Sequence, residues 1–122
     1  PRDLRVARRL SELPPLDHNY CLSTANRKLT PVAELTGASG VRLRLATTAP
    51  GLQVYDGVAI ATAPWPGLQG AAYGAHAGLA LEPQLWPDAP GRANYPSVLL
   101  SEGENWYQHS TYEFTRSDAA AP

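Results

Sequence analysis

Apolar and polar residues alternate along much of this chain, and this pattern predicts β-strands. The clearest case is VRLRLATT at residues 41–48, in which valine and leucine alternate with arginine. A period of two places the apolar side chains on one face of a strand and the charged ones on the other. Because GASG at residues 37–40 is typical of a turn, we expect this strand to be the second half of a hairpin with one side in water.

Short strands separated by turns account for most of the remaining pattern. The chain contains 10 glycines and 12 prolines among 122 residues, which leaves little room for long helices. We predict further strands at residues 19–25, 32–36, 52–61, 78–82, 97–100 and 106–116. Helical spacing is confined to LRVARRLSEL at residues 4–13, a predicted helix that Pro14 and Pro15 would end.

Two segments rich in proline and glycine, residues 63–75 and 83–96, are predicted to be long loops. The tail at residues 117–122 has nothing to bury, and we expect no regular structure there. The elements show no internal repeat. Together they predict that residues 1–122 are all-β and antiparallel, most simply sandwich-like, and form one domain or part of a larger one.

Composition argues against several classes of function. The formal net charge of −1 gives no electrostatic footprint for nucleic acid or acidic lipid. No apolar run approaches the length of a membrane span and no signal-like segment opens the chain, so we expect a cytoplasmic location. Cys21 is the single cysteine, expected to be a small buried residue, and the three histidines lack metal-ligand spacing. Because the sequence has no methionine, we expect the natural chain to begin upstream of Pro1.

One acidic residue, Glu82, lies in the apolar and proline-rich stretch LALEPQLWPDAP at residues 79–90. The two predicted loops flank its strand, and long ordered loops on a β scaffold often carry binding groups. Two interpretations follow for Glu82. It is either an outward-facing strand residue or a carboxylate in a partly desolvated cleft, where it can accept a proton.

Other candidate residues have simpler interpretations. Asp17, in LDHNY at residues 16–20, is a candidate binding carboxylate, although its position before a strand also suits a turn former. His18 is more typical of a packed or exposed bystander than of a base. Trp65 and Trp86 lie in the predicted loops, where we rank core or loop-anchoring packing ahead of stacking on a sugar face.

Four segments, taken together, resemble one protein family. They are DHNYCL at residues 17–22, PGLQVYDG at 50–57, the glycine-rich AAYGAHAGLALEPQLWPDAPGRANYPSVLL at 71–100, and TYEF at 111–114. Their order and separations are similar to the C-terminal part of the aldose 1-epimerases, the galactose mutarotase family. The resemblance covers residues 17–114. It implies a large antiparallel β-sandwich of which this chain forms the C-terminal portion.

The resemblance also implies an activity, the interconversion of α and β anomers of a free aldose. A carboxylate takes the proton from the anomeric hydroxyl while an acid protonates the ring oxygen, and the opened monosaccharide closes on either face. Glu82 matches the family's general base, and Asp17 and Gln53 match residues that bind the sugar. The implied chemistry needs no metal and no nucleotide cofactor, because two proton-transfer groups suffice.

The chain also departs from the family pattern. None of His18, His76 or His109 falls in a motif that matches the family's general acid, which the resemblance places upstream. Val58 follows Gly57 where the family often has asparagine. Since half a sandwich would leave strand edges and a core open, we expect the upstream part of the same protein, or a partner chain, to complete it.

Two other functions stay open at the level of sequence. A non-catalytic carbohydrate-binding or regulatory module can use the same fold, because a fold does not decide a function. A glycoside hydrolase is the less favoured alternative, with Asp17 and Glu82 acting as a carboxylate pair across a scissile bond.

Overall fold

The computed structural model describes residues 2–116, and within them the regular structure is almost entirely β-strand. The strands are β1 (Asp17–Cys21), β2 (Thr30–Thr36), β3 (Val41–Thr47), β4 (Gly51–Tyr55), β5 (Ala80–Gln84) and β6 (Ser110–Arg116). Short 3-10 helices span Leu10–Glu12 and Ala89–Gly91. The described residues include no helix with the length and hydropathy of a membrane span. The prediction for the tail at residues 117–122 lies outside the described residues.

The six strands form two three-stranded sheets, one with the order β1–β4–β5 and one with the order β2–β3–β6. Both pairings of the second sheet are antiparallel. The predicted all-β, antiparallel fold class is therefore confirmed. By its contacts the chain divides into two compact units, residues 1–20 with 53–82 and residues 21–52 with 83–122. It stays a prediction that residues 1–122 belong to a single domain.

The β2–β3–β6 sheet has the two unlike faces that the VRLRLATT pattern predicts. On the apolar face, Leu45 on β3 is opposite Tyr112 on β6 and has no exposed surface. On the charged face, Glu34 receives hydrogen bonds from the guanidinium groups of both Arg42 and Arg44. These two arginines, Arg42 first, hold the pKa of Glu34 below its ordinary value. Alternation thus sorts core from solvent on this sheet.

Much of the apolar surface is nevertheless uncovered in the described chain. Phe114, opposite Leu43 on β3, is 66% exposed, and Trp106 just before β6 is 52% exposed. The buried apolar residues are few: Leu16, Leu45, Ala49, Leu52, Val54 and Ala89. Large exposed apolar residues in such number are typical of a surface that another part of a protein covers.

Three predictions from the sequence are wrong. Residues 4–13 do not form a helix beyond the single 3-10 turn Leu10–Glu12, because Val6 and Leu10 are exposed and a short helix without a packed face is unstable. Residues 97–100 are irregular rather than a strand. Cys21 is exposed at the end of β1 instead of buried.

The predicted loop at residues 63–75 is irregular, as expected, but it is closed by specific contacts. Thr62 and Tyr73 bond each other at its base, with the Thr62 N–H donating to the Tyr73 carbonyl at 3.0 Å. The Tyr73 hydroxyl accepts from the Leu68 N–H at 3.0 Å. A Cβ atom at Gly67 would lie 2.3 Å from the Tyr73 ring, so the ring occupies the space that a side chain there would need.

The segment after β5 is anchored by Trp86. Its indole N–H donates to the Pro50 carbonyl at 2.9 Å, and its ring meets the edge of Tyr95 at a centroid distance of 5.1 Å. Asp88, in the left-handed region at φ 61°, accepts a hydrogen bond from Arg92 at 2.9 Å. The predicted packing role of Trp86 is therefore confirmed.

We predict that Thr47→Val destabilises the protein by about 1–3 kcal/mol although it preserves shape. The buried Thr47 hydroxyl accepts the Ala49 N–H at 3.1 Å and bonds the Ser110 hydroxyl at 2.8 Å. Valine would leave the Ala49 N–H without that acceptor. Urea unfolding of the full-length protein measures the change.

Ser110→Ala is the matched control for Thr47→Val. It removes the other hydroxyl of the pair but leaves the Ala49 N–H its acceptor. We expect a clearly smaller loss of unfolding free energy, and equal losses for the two variants would contradict the assignment.

Candidate functional site

Strand β4 separates buried side chains from those available to a ligand. Leu52 and Val54 are 3% and 6% exposed on one face of the strand. Gln53 lies between them in sequence and is half-buried on the opposite face. Since side chains alternate along a strand, burial of the two apolar residues directs the Gln53 amide away from them.

The Gln53 amide meets Asp17 on β1, the neighbouring strand in the sheet. Its Nε2 donates a hydrogen bond to Asp17 Oδ1 at 2.6 Å. With these atoms engaged, Asp17 Oδ2 and Gln53 Oε1 remain as acceptors and Nε2 retains a second hydrogen to donate. Acceptors and a donor held side by side suit adjacent hydroxyl groups. The structure therefore brings together two of the three residues singled out in the sequence.

Glu82, the third residue, lies on β5, which is the other neighbour of β4. The order β1–β4–β5 thus carries Asp17, Gln53 and Glu82 on three successive strands, with neighbouring strands about 4.8 Å apart. The Glu82 side chain is exposed. The described residues therefore do not form the desolvated cleft expected around it, because its apolar neighbour Leu81 alternates to the other face of β5.

The histidines have local partners in the described chain. His18 Nδ1 accepts the Asp17 backbone N–H at 3.0 Å. His76 Nδ1 lies 3.1 Å from the Asp56 carbonyl oxygen. Among the described residues no group of three or more histidine, cysteine, aspartate or glutamate side chains is placed to hold a metal ion.

Trp65 differs from the packing role predicted for it, because its side chain is 75% exposed. It lies in the loop closed by Thr62 and Tyr73, where the Trp65 N–H donates to the Thr62 carbonyl at 2.8 Å. The backbone is therefore held while the indole ring stays in solvent. Stacking on a sugar face stays an untested prediction for this ring.

Asp56 is a site-adjacent carboxylate that the sequence did not single out. Its Oδ2 accepts the Leu16 N–H and its Oδ1 the Val58 N–H, both at 3.0 Å. The Leu16 bond, ahead of the Val58 bond and the nearby His76, holds the pKa of Asp56 below its ordinary value. An Asp-Gly dipeptide is typical of a turn, but the bond to Leu16, 40 residues away, has no local signature.

Comparison with known proteins identifies the family of the chain. The family described as "Aldose 1-epimerase" matches residues 1–113. The chain is similar to the galactose mutarotase of Homo sapiens, with 41% identity over 96 residues, and to that of Bos taurus, with 40%. These matches cover 79% of this chain and 28% of each relative. The aldose 1-epimerase of Escherichia coli strain K12 is 31% identical over 101 residues, which cover 80% of this chain and 29% of that protein.

This chain therefore spans less than a third of the length of these curated relatives. The family match over residues 1–113 includes the strands that carry Asp17, Gln53 and Glu82. On that match, the chain belongs to the aldose 1-epimerase family.

Proposed function

We propose that the protein to which this chain belongs is an aldose 1-epimerase that interconverts the α and β anomers of a free aldose. The observation that carries the proposal is the Asp17–Gln53 hydrogen bond of 2.6 Å, on strands β1 and β4 next to the strand of Glu82. It supplies a ready hydroxyl-binding pair within the region that matches the family.

In this mechanism Asp17 and Gln53 hold the sugar and Glu82 accepts a proton. The Glu82 carboxylate takes the proton of the anomeric O1 hydroxyl while an acid gives a proton to the ring oxygen O5. The C1–O5 bond breaks and O1 becomes the aldehyde oxygen. Rotation about C1–C2 and closure on the other face, with the two proton transfers reversed, yields the other anomer. The reaction uses no redox step.

We propose that the general acid and a cover for Glu82 come from the upstream part of the same protein; a partner chain is the alternative. The exposure of Glu82 supports this, as do exposed apolar residues such as Phe114 and Trp106. None of His18, His76 or His109 falls in a motif that matches the family's general acid, which supports a donor outside this chain. A cytoplasmic location stays a prediction.

A non-catalytic carbohydrate-binding module is the second candidate. If no upstream segment or partner chain covers Glu82, its exposure favours this module, because sugar binding needs the Asp17–Gln53 pair but no desolvated base. The glycoside hydrolase alternative is less favoured, because Oδ1 of Asp17, one of its two catalytic carboxylates, is engaged by Gln53.

We predict that Glu82→Gln in the full-length protein lowers kcat for mutarotation by about 10²–10⁴-fold, because the amide cannot accept the O1 proton. The measurement is the rate of change of optical rotation in freshly dissolved α-D-galactose or α-D-glucose, with sugar affinity measured in parallel. Affinity should change little.

The matched control is Glu102→Gln, the same change at an exposed turn residue, which should leave the rate unchanged. A Glu82→Gln protein that retains the wild-type rate would refute Glu82 as the base. A full-length wild-type protein that binds sugar without accelerating the change would support the binding module.

We predict that Asp17→Ala raises the KM for the aldose by about 10- to 100-fold, because the loss of a hydrogen bond to a charged group costs about 1.5–3 kcal/mol. Asp17→Asn should raise KM less, since its amide oxygen still accepts from Gln53 Nε2. Steady-state kinetics of the full-length protein give both values. An unchanged KM in Asp17→Ala would remove Asp17 from the sugar site.

A further inference from the structure

Three segments of the chain meet at the Asp56–Gly57 turn that ends β4. The first is Leu16, the residue before β1, whose N–H donates to Asp56 Oδ2 and whose carbonyl accepts the Asp56 N–H, both at 3.0 Å. The second is the turn itself, where the Val58 N–H donates to Asp56 Oδ1. The third is the segment around His76, which leads into β5.

His76 joins the turn through three contacts. Its N–H donates to the Gly57 carbonyl at 2.9 Å, and its Nδ1 lies 3.1 Å from the Asp56 carbonyl oxygen and 3.9 Å from Asp56 Oδ1. His76 is also in the left-handed region, at φ 60°. This conformation is strained for a non-glycine residue, and these contacts help to offset the strain.

Gly57 lets the incoming segment approach closely. It has a φ of 76°, and a Cβ atom built there would lie 2.5 Å from the Gly78 carbonyl oxygen. Gly78 is two residues before β5. The approach of this segment to the turn is therefore set by backbone contact, with the Asp56 carboxylate beside it.

These contacts connect the three residues assigned to the sugar. Leu16 immediately precedes Asp17, Asp56 is three residues after Gln53, and the His76 segment leads into the strand of Glu82. We propose that Asp56, together with His76, is a positioning residue that holds the base-bearing strand in register with the Asp17–Gln53 pair. The proposal rests on the proposed epimerase function.

Two features of Asp56 fit positioning rather than proton transfer. Its carboxylate is 15% exposed and both oxygens already accept backbone N–H groups. Those bonds also hold the pKa of Asp56 below its ordinary value, so it is ionised at neutral pH and has no proton to donate.

The proposal predicts a particular split between kcat and KM. Asp17 and Gln53 bond each other directly, so the sugar-binding pair survives the loss of Asp56. The Leu16 and Val58 bonds fix the turn against which the His76 segment lies, so their loss lets that segment, and the Glu82 strand it leads into, shift. A misplacement of about 1 Å can lower a rate by about 100-fold, so kcat should fall by about 10- to 100-fold while KM changes less than threefold.

The test is Asp56→Asn in the full-length protein. Asparagine keeps the shape, but one of its two polar atoms becomes an NH₂ group that cannot accept a backbone N–H. Optical rotation gives kcat and KM, and far-UV circular dichroism gives the folded fraction at the assay temperature. Asp88→Asn is the matched control, an exposed aspartate bonded to Arg92 in the other compact unit, and should leave kcat and KM unchanged.

A lowered unfolding temperature with wild-type kcat and KM in the folded fraction would overturn the proposal, because it would show a merely structural role. If Asp56→Asn does not fold, His76→Asn decides. Asparagine tolerates the left-handed region, so the backbone can keep its conformation. The bonds of Asp56 to Leu16 and Val58 also remain, and only the imidazole ring is lost. A wild-type kcat in His76→Asn would then overturn the proposal, and a lowered kcat with KM nearly unchanged would support it.

Failure of the positioning proposal is distinct from failure of the proposed function. An inactive wild-type protein, or an active Glu82→Gln variant, would refute the epimerase assignment itself. A fully active Asp56→Asn variant beside an inactive Glu82→Gln variant would refute the positioning role alone.

Discussion

The pleat of β4 is the constraint on which the candidate site depends. Leu52 and Val54 are withdrawn from water, and a strand cannot bury residues two apart without presenting the one between them on its other side. The Gln53 side chain therefore lies on the side opposite Leu52 and Val54, where it donates a hydrogen bond to Asp17. The apolar core thus determines where the polar chemistry is presented, and a shift of one residue in β4 would exchange the two.

Strands were predicted correctly where apolar and polar residues alternate strongly. Elements were predicted wrongly where the apolar residues are not covered by other parts of the described chain. Leu43 and Leu45 alternate with arginines, and β3 forms as expected because both faces of its pattern find suitable surroundings. Residues 4–13 have helical spacing, but Ala7 and Leu10 on their apolar side are exposed. Leu99 and Leu100 in the predicted strand at residues 97–100 are likewise exposed. The periodicity of a sequence predicts which residues share a face, but not whether another part of the protein packs against that face.

The site was predictable to a different extent. Glu82 and Asp17 were candidates from the residue pattern and Gln53 from resemblance to a family, and the structure adds the direct bond between Asp17 and Gln53. Asp56 and His76 escaped, because their contacts join positions 20 and 40 residues apart and the sequence around them indicates only a turn. In the described chain Glu82 is exposed, which is the first of the two interpretations that the sequence left open. Apolar neighbours in sequence lie on the opposite face of a strand, so they do not desolvate it.

The absence of a side chain at Gly57 has a consequence for which residues can replace it. Any L-amino acid there would be strained at a φ of 76° and would collide with the carbonyl of residue 78. A side chain at this position would require the entry to β5 to move as well. We therefore expect substitutions in related sequences to be far more frequent at the residues around Gly57 than at Gly57 itself.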